Sequence, residues 1–133
     1  MSDDYKFKVV FNKPVDISRA ITFFSDEGFK FRGIFYAHED SHEVSLEEAI
    51  RRVNDDNGTI PLNRDGIEIG FFYQKKYRWI VLSLGHYLLE KEGVKEVLKD
   101  FVGFVKKNYP VKNIKEYMGY KQQPYPFALK DDK

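Results

Sequence analysis

The sequence contains no cysteine. That removes every thiolate nucleophile, every cysteine-ligated zinc site and any disulfide framework. It also lacks a long hydrophobic run. No wholly apolar stretch exceeds the one from Trp79 to Leu82, far short of the about 20 residues a membrane helix requires. The opening Met1-Ser2-Asp3-Asp4 is acidic where a secretory signal would be basic, so a soluble cytoplasmic protein without membrane contact is expected. There is no glycine-rich phosphate loop, and Ser83-Leu84-Gly85-His86 does not supply the Gly-x-Ser-x-Gly nucleophile elbow. Asp55-Asp56-Asn57-Gly58 resembles a calcium loop only superficially. Aligning Gly58 with the loop glycine puts Val53 at the first ligand position and Arg64 where the bidentate glutamate belongs. Asn57-Gly58-Thr59 fits the glycosylation pattern, but without a secretory signal the match is chance.

What is present is a chain of 133 residues, 42% hydrophobic and 32% charged, the size and balance of one domain. Two features depart from the ordinary. Twelve Phe, nine Tyr and one Trp are more rings than a small core can hide, so several tyrosines belong at the surface, where an amphipathic ring suits binding. The net charge of +1 also conceals an asymmetry. Residues 1–70 carry nine Lys and Arg against fourteen Asp and Glu, net −5, and residues 71–133 carry thirteen against seven, net +6. If the halves do not intermix in space, the molecule has one acidic and one basic face.

Periodicity sets out the elements. Tyr5, Phe7, Val9 and Phe11 alternate with the period of a half-buried strand. Asp16 is placed to cap a helix whose Ile17, Ala20, Ile21 and Phe24 recur at helical spacing, and Gly28 stops it. Phe29 to Ala37 reads as a second strand. If it runs parallel beside the first, the crossover is right-handed. His38 to Val44 reads as an acidic loop. Ser45-Leu46-Glu47-Glu48 forms a capping box, stapled by Val44 and Ala49, that starts a helix with Leu46, Ala49, Ile50 and Val53 on its buried stripe. Asn54 to Gly58 ends it. After a short Thr59–Leu62 segment and a turn at Arg64-Asp65-Gly66, Ile67 to Tyr73 and Tyr77 to Leu84 form a hairpin. Lys75-Lys76 lacks the Gly or Asn of a two-residue turn, so the connection is longer or bulged. The second strand of that hairpin is apolar on both parities, which implies a central, doubly covered strand. Val94, Val97, Leu98, Phe101, Val102 and Val105 mark the longest helix, ended by Pro110. Val111 to Tyr120 is a final strand or short helix. The expected class is α+β, an antiparallel or mixed sheet with about three helices in the order β-α-β-α-β-β-α. Residues 1–120 make the domain, and 121–133 make a Pro- and aromatic-containing tail that docks on its own sheet or on another chain.

Three function classes follow. A non-enzymatic protein-binding module, of the inhibitor, immunity-type or adaptor kind, fits the segregated charge, the surplus tyrosine and the empty nucleophile search. Complementary charge steers association, and Tyr, Trp and Arg dominate hot spots. Its candidate basic surface is Lys75, Lys76, Tyr77 and Arg78, and its acidic one Glu39, Asp40, Glu43 and Glu47. Nucleic-acid binding by Phe71 to Trp79, where cations alternate with rings, is the second class. A pI near 7.8 is below the signature of a dedicated nucleic-acid domain. The third is a metal-dependent enzyme at His38 and His42, the densest cluster of imidazoles and carboxylates, with His86 the only other histidine for a third ligand. No cofactor is implied. Another protein is the expected partner, with homodimerisation open.

Overall fold

The computed structural model describes residues 4–37, 40–55 and 58–129. Strand β1 (Asp4–Phe11) buries Tyr5, Phe7, Val9 and Phe11 and turns Lys6, Lys8 and Val10 to the other side, as the two-residue period requires. Helix α1 (Ser18–Asp26) begins where the Asp16 carboxylate accepts from the Ser18 amide at 2.8 Å and its hydroxyl at 2.6 Å. Asn54 supplies the acceptor for the Ile17 amide at 3.0 Å. The helix buries Ala20, Ile21 and Phe24.

The single strand expected from Phe29 to Ala37 is two, β2 (Lys30–Phe31) and β3 (Ile34–Ala37). Between them Gly33 adopts φ +83°, a conformation that breaks the ladder and that glycine takes without a Cβ penalty. Both pieces pair with β5 (Gly58–Arg64). The expected acidic loop is corrected as well. Asp40–Glu43 forms β4, hairpinned onto β3 with Ile34 opposite Glu43 and Ala37 opposite Asp40. It lies at the sheet edge, where charged side chains stay solvated and no hydrophobic alternation announces a strand. Glu39 and His38 lie outside the described residues.

Helix α2 (Leu46–Asp55) opens with the Glu48 amide donating to the Ser45 hydroxyl at 3.1 Å. The reciprocal half of the box is replaced, because the Glu48 carboxylate is taken by Arg51 and Arg52. The Thr59–Leu62 segment is part of β5. This strand makes a tight hairpin with β6 (Ile67–Gln74) through Asp65 at φ 50° and Gly66 at φ 82°, the two left-handed residues of a type I′ turn. Strand β6 continues through the Lys75–Tyr77 3-10 turn and left-handed Arg78 into β7 (Trp79–Gly85). That is the longer connection expected there. Helix α3 (Val94–Asn108) buries all six residues of its predicted stripe, and β8 (Val111–Met118) and β9 (Lys121–Pro124) follow.

All pairings are antiparallel, in the order β4-β3-β5-β6-β7-β1-β8-β9, with β2 also on β5. The class is α+β. Strands β1 and β3 run in the same direction, but β7, β6 and β5 stand between them, so no adjacent parallel crossover forms. The α1, α2 and α3 stripes join Tyr5, Phe7, Val9, Ile69, Phe71, Ile80 and Leu82 in a single core. Phe24 links the layers, with ring centroids 4.8 Å from Phe101 and 6.3 Å from Phe71. The three helices therefore cover one face of the sheet. Beyond β9, Tyr125 sets its ring 5.9 Å from Phe7, and Leu129 is buried in the same core. Among the described residues no helix is long and apolar enough to cross a membrane.

Candidate binding surface

Among the described residues the opposite face of the sheet carries no helix, and strand pairing dictates what it displays. In antiparallel neighbours, residues directly opposite each other point to the same side. One row across the sheet reads Tyr36, Thr59, Phe72, Val81, Lys8, Lys115 and Pro124. The row beside it reads Pro61, Gly70, Ser83, Lys6, Tyr117 and Gln122, and on the other side Gln74, Trp79, Val10 and Asn113 align. The expectation that β7 is doubly covered is corrected here. Ile80, Leu82 and Leu84 face the core, whereas Trp79, Val81 and Ser83 are half-buried and line an open groove. The apolar character of the second parity reflects a surface.

That groove encloses about 540 Å³ and is walled chiefly by Lys6, Lys8, Phe72, Trp79, Tyr117 and Tyr120, with Gly70 and Ser83 on its floor. Trp79 is fixed in orientation. Its indole N–H donates to Gln74 Oε1 at 3.2 Å, Tyr77 stacks on it at 4.7 Å and 20°, and the Lys8 ammonium lies 4.0 Å from its ring centroid. Lys8 also lies 5.4 Å from the Tyr117 ring, and Lys76 lies 5.5 Å from Tyr77. Rings and ammonium groups thus form one ladder, Lys76-Tyr77-Trp79-Lys8-Tyr117. Cation–π attraction holds the charge at the surface without neutralising it. No carboxylate pairs with Lys6, Lys8 or Lys115 among the described residues.

Lys75, Lys76, Tyr77 and Arg78 form a contiguous exposed turn at one end of this groove. The Arg78 guanidinium donates to the Asn12 carbonyl at 2.8 Å, which ties the turn to the end of β1. The acidic candidates do not join them. Glu43 is exposed on β4, Glu47 is exposed in the first turn of α2, and the backbone of Asp40 opens β4, with β3 and β5 standing between β4 and β6. His42 is exposed on β4, and no three metal-ligating side chains converge among the described residues.

Compared with protein-family models, curated proteins and solved structures, the chain has no match. The surface therefore stands on its own chemistry.

Two features that sequence periodicity did not single out matter most. Lys6 and Lys8 look like the ordinary solvated parity of β1, and their role emerges only when β1 is inserted between β7 and β8. Glu116 is the other. It is 1% exposed on the helix side of β8, where its carboxylate accepts from the Tyr5 hydroxyl at 2.6 Å, from the Ala128 amide at 3.1 Å and from the Phe127 amide. Burial, then the hydrogen bond to Glu116, pushes the Tyr5 hydroxyl far above the ordinary tyrosine range, so Tyr5 remains a donor at all working pH. Its chemistry is that of a buried clamp on the segment after β9.

Proposed function

We propose that this protein is a non-enzymatic binding module that recognises another protein through the helix-free face of its sheet. The observation that carries the reading is an aromatic and lysine-lined groove left uncovered by all three helices. A sheet face with this much exposed ring surface needs a covering partner or a functional reason to stay bare. Oriented aromatics beside unpaired cations are the composition of interface hot spots. A second copy of the chain is a poor occupant, because two-fold self-pairing would bring two sets of lysines together.

Single-stranded nucleic acid is a second reading, favoured by rings and lysines alternating on one sheet face. Two observations weigh against it. Trp79 already carries a stacked tyrosine and an ammonium, which leaves little free ring for a base. The lysines are also too few for the long phosphate track such binding uses.

The deciding experiment is capture of tagged protein from host lysate, treated with nuclease. Wild type is compared with Lys6→Glu/Lys8→Glu on the open face and with Lys107→Glu on exposed α3. A protein partner that survives nuclease, is lost from the open-face variant and is kept by Lys107→Glu is the expected result. Retention by the open-face variant overturns the assignment of the surface, and loss on nuclease treatment moves the protein to the nucleic-acid class.

A further inference from the structure

We infer that the groove takes an acidic segment of the partner, with one apolar side chain seated on the floor at Gly70 and carboxylates on Lys6, Lys8 and Lys115. This rests on the reading of the open face as the partner surface and names what that surface selects.

The first support is charge. Lys8 on β1 stands directly opposite Lys115 on β8, and like charges opposite one another in a sheet are unfavourable. Lys6 lies two residues from Lys8 on the same face, and none of the three is ion-paired among the described residues. A face that keeps such a cluster uncompensated is complementary to an anion.

The second support is Gly70. It lies in the interior of β6, where glycine weakens a strand. Its backbone does not need glycine, since its φ is not positive, and a Cβ built there meets only ordinary contacts, 3.5 Å from Thr59 Cγ2 and 3.8 Å from the Ser83 carbonyl. Among the described residues nothing stands closer to that Cβ position than ordinary contact. The missing side chain therefore serves the groove, as a depression beside Phe72 with Ser83 standing between it and Lys6. Phe72 and Pro61 beside it fit an apolar side chain, and the ammonium groups of Lys6, Lys8 and Lys115, all on the β1 and β8 side of it beyond β7, fit carboxylates on that side.

The test reads Trp79, the only tryptophan in the chain, whose emission reports on the groove it lines. The full-length protein is titrated with a short glutamate-rich peptide carrying one central phenylalanine, with the same peptide bearing lysine for glutamate, and with oligo-thymidine. A saturable change with the acidic peptide alone is expected, weakening about tenfold as salt rises through the range where screening becomes strong. Gly70→Val should melt no lower than wild type, because a β-branched residue suits a strand, yet bind the acidic peptide at least about tenfold more weakly because the floor is filled. Should Gly70→Val fail to fold, Lys6→Glu/Lys8→Glu gives the same decision from the surface, and its preference should switch to the lysine peptide. No saturable change, an unaltered affinity in Gly70→Val, or binding of oligo-thymidine alone overturns the inference. If the captured partner depends on Lys6 and Lys8 but the acidic peptide does not bind, the segment chemistry is wrong and the face remains. If the captured partner ignores Lys6 and Lys8, the face itself is wrong and this inference falls with it.

Discussion

Glu116 shows how one residue organises a distant segment. Its neighbours along the helix side of β8 are apolar, and Phe7 stands opposite it on β1. A carboxylate persists there because Tyr5, Phe127 and Ala128 all donate to it, and a buried charge is tolerated when it is fully hydrogen-bonded. Glu116→Ala leaves those donors without an acceptor, each unsatisfied group costing about 1–3 kcal/mol. We expect a loss on the order of 3 kcal/mol in urea unfolding and faster proteolysis after Pro124. Tyr5→Phe leaves the two amide donors in place and should cost less, about 1.5–3 kcal/mol. Wild-type unfolding midpoints in both variants would show that the carboxylate does not hold the segment. The sequence offers Glu116 no signal. It sits among Lys115, Tyr117 and Met118, and only pairing with β1 reveals that its parity faces the core.

Among the elements, α2 carries a pH signature. Arg51 and Arg52 hold the Glu48 carboxyl down at about 2, below the usual glutamate value of 4.5, through hydrogen bonds and then charge. A folded-state value below the unfolded one contributes stability that is complete above about pH 4.5 and is lost as pH falls through about 2. Glu48→Gln should therefore flatten the acid limb of stability against pH in that window and change little below it. Because the group is exposed, the difference should shrink in high salt. An acid limb identical to wild type would show that the arginine contacts are not maintained in solution. The β5–β6 turn gives a sharper test of backbone. Gly66 at φ 82° makes Gly66→Ala cost about 1–2 kcal/mol, measured by thermal unfolding, whereas Asp65→Asn should be neutral because asparagine accepts the left-handed region. These elements were legible in advance for different reasons. The α3 stripe and the β1 alternation announce themselves because burial on one side imposes a period. The Ser45 cap is read from the four residues Ser45 to Glu48. Strand β4 is silent because an edge strand buries too little to leave a pattern, and the break at Gly33 is silent because one glycine in an aromatic run also fits an unbroken strand.

For the whole molecule, the class was legible and the sheet order was not. Alternation says that a strand has a buried side, but it does not say which strand lies next to it. Placing β1 between β7 and β8 joins residues 69 to 113 positions apart, and that single insertion creates the groove. The rings of the β6–β7 hairpin were visible as a cation-rich aromatic stretch. What was missing was the bare face they look onto, and Lys6, Lys8 and Lys115 within it. The same insertion sets stability against recognition. With Lys8 opposite Lys115, Lys115→Glu replaces a like pair with an opposite one, a cross-strand change of roughly 0.2–1 kcal/mol. The variant should melt higher than wild type at low salt, and the gain should fade as the screening length contracts from about 10 Å at 0.1 M to about 3 Å at 1 M. It should at the same time bind an acidic partner more weakly, and mainly by slower association, since a charge at the margin of a groove acts on encounter. A variant that is both more stable and a poorer binder ties the uncompensated lysines to function. A Lys115→Glu protein that melts lower, or that gains stability regardless of salt, would mean the lysine cluster is not under electrostatic strain, and the open face would have to select its partner by shape and apolar contact alone.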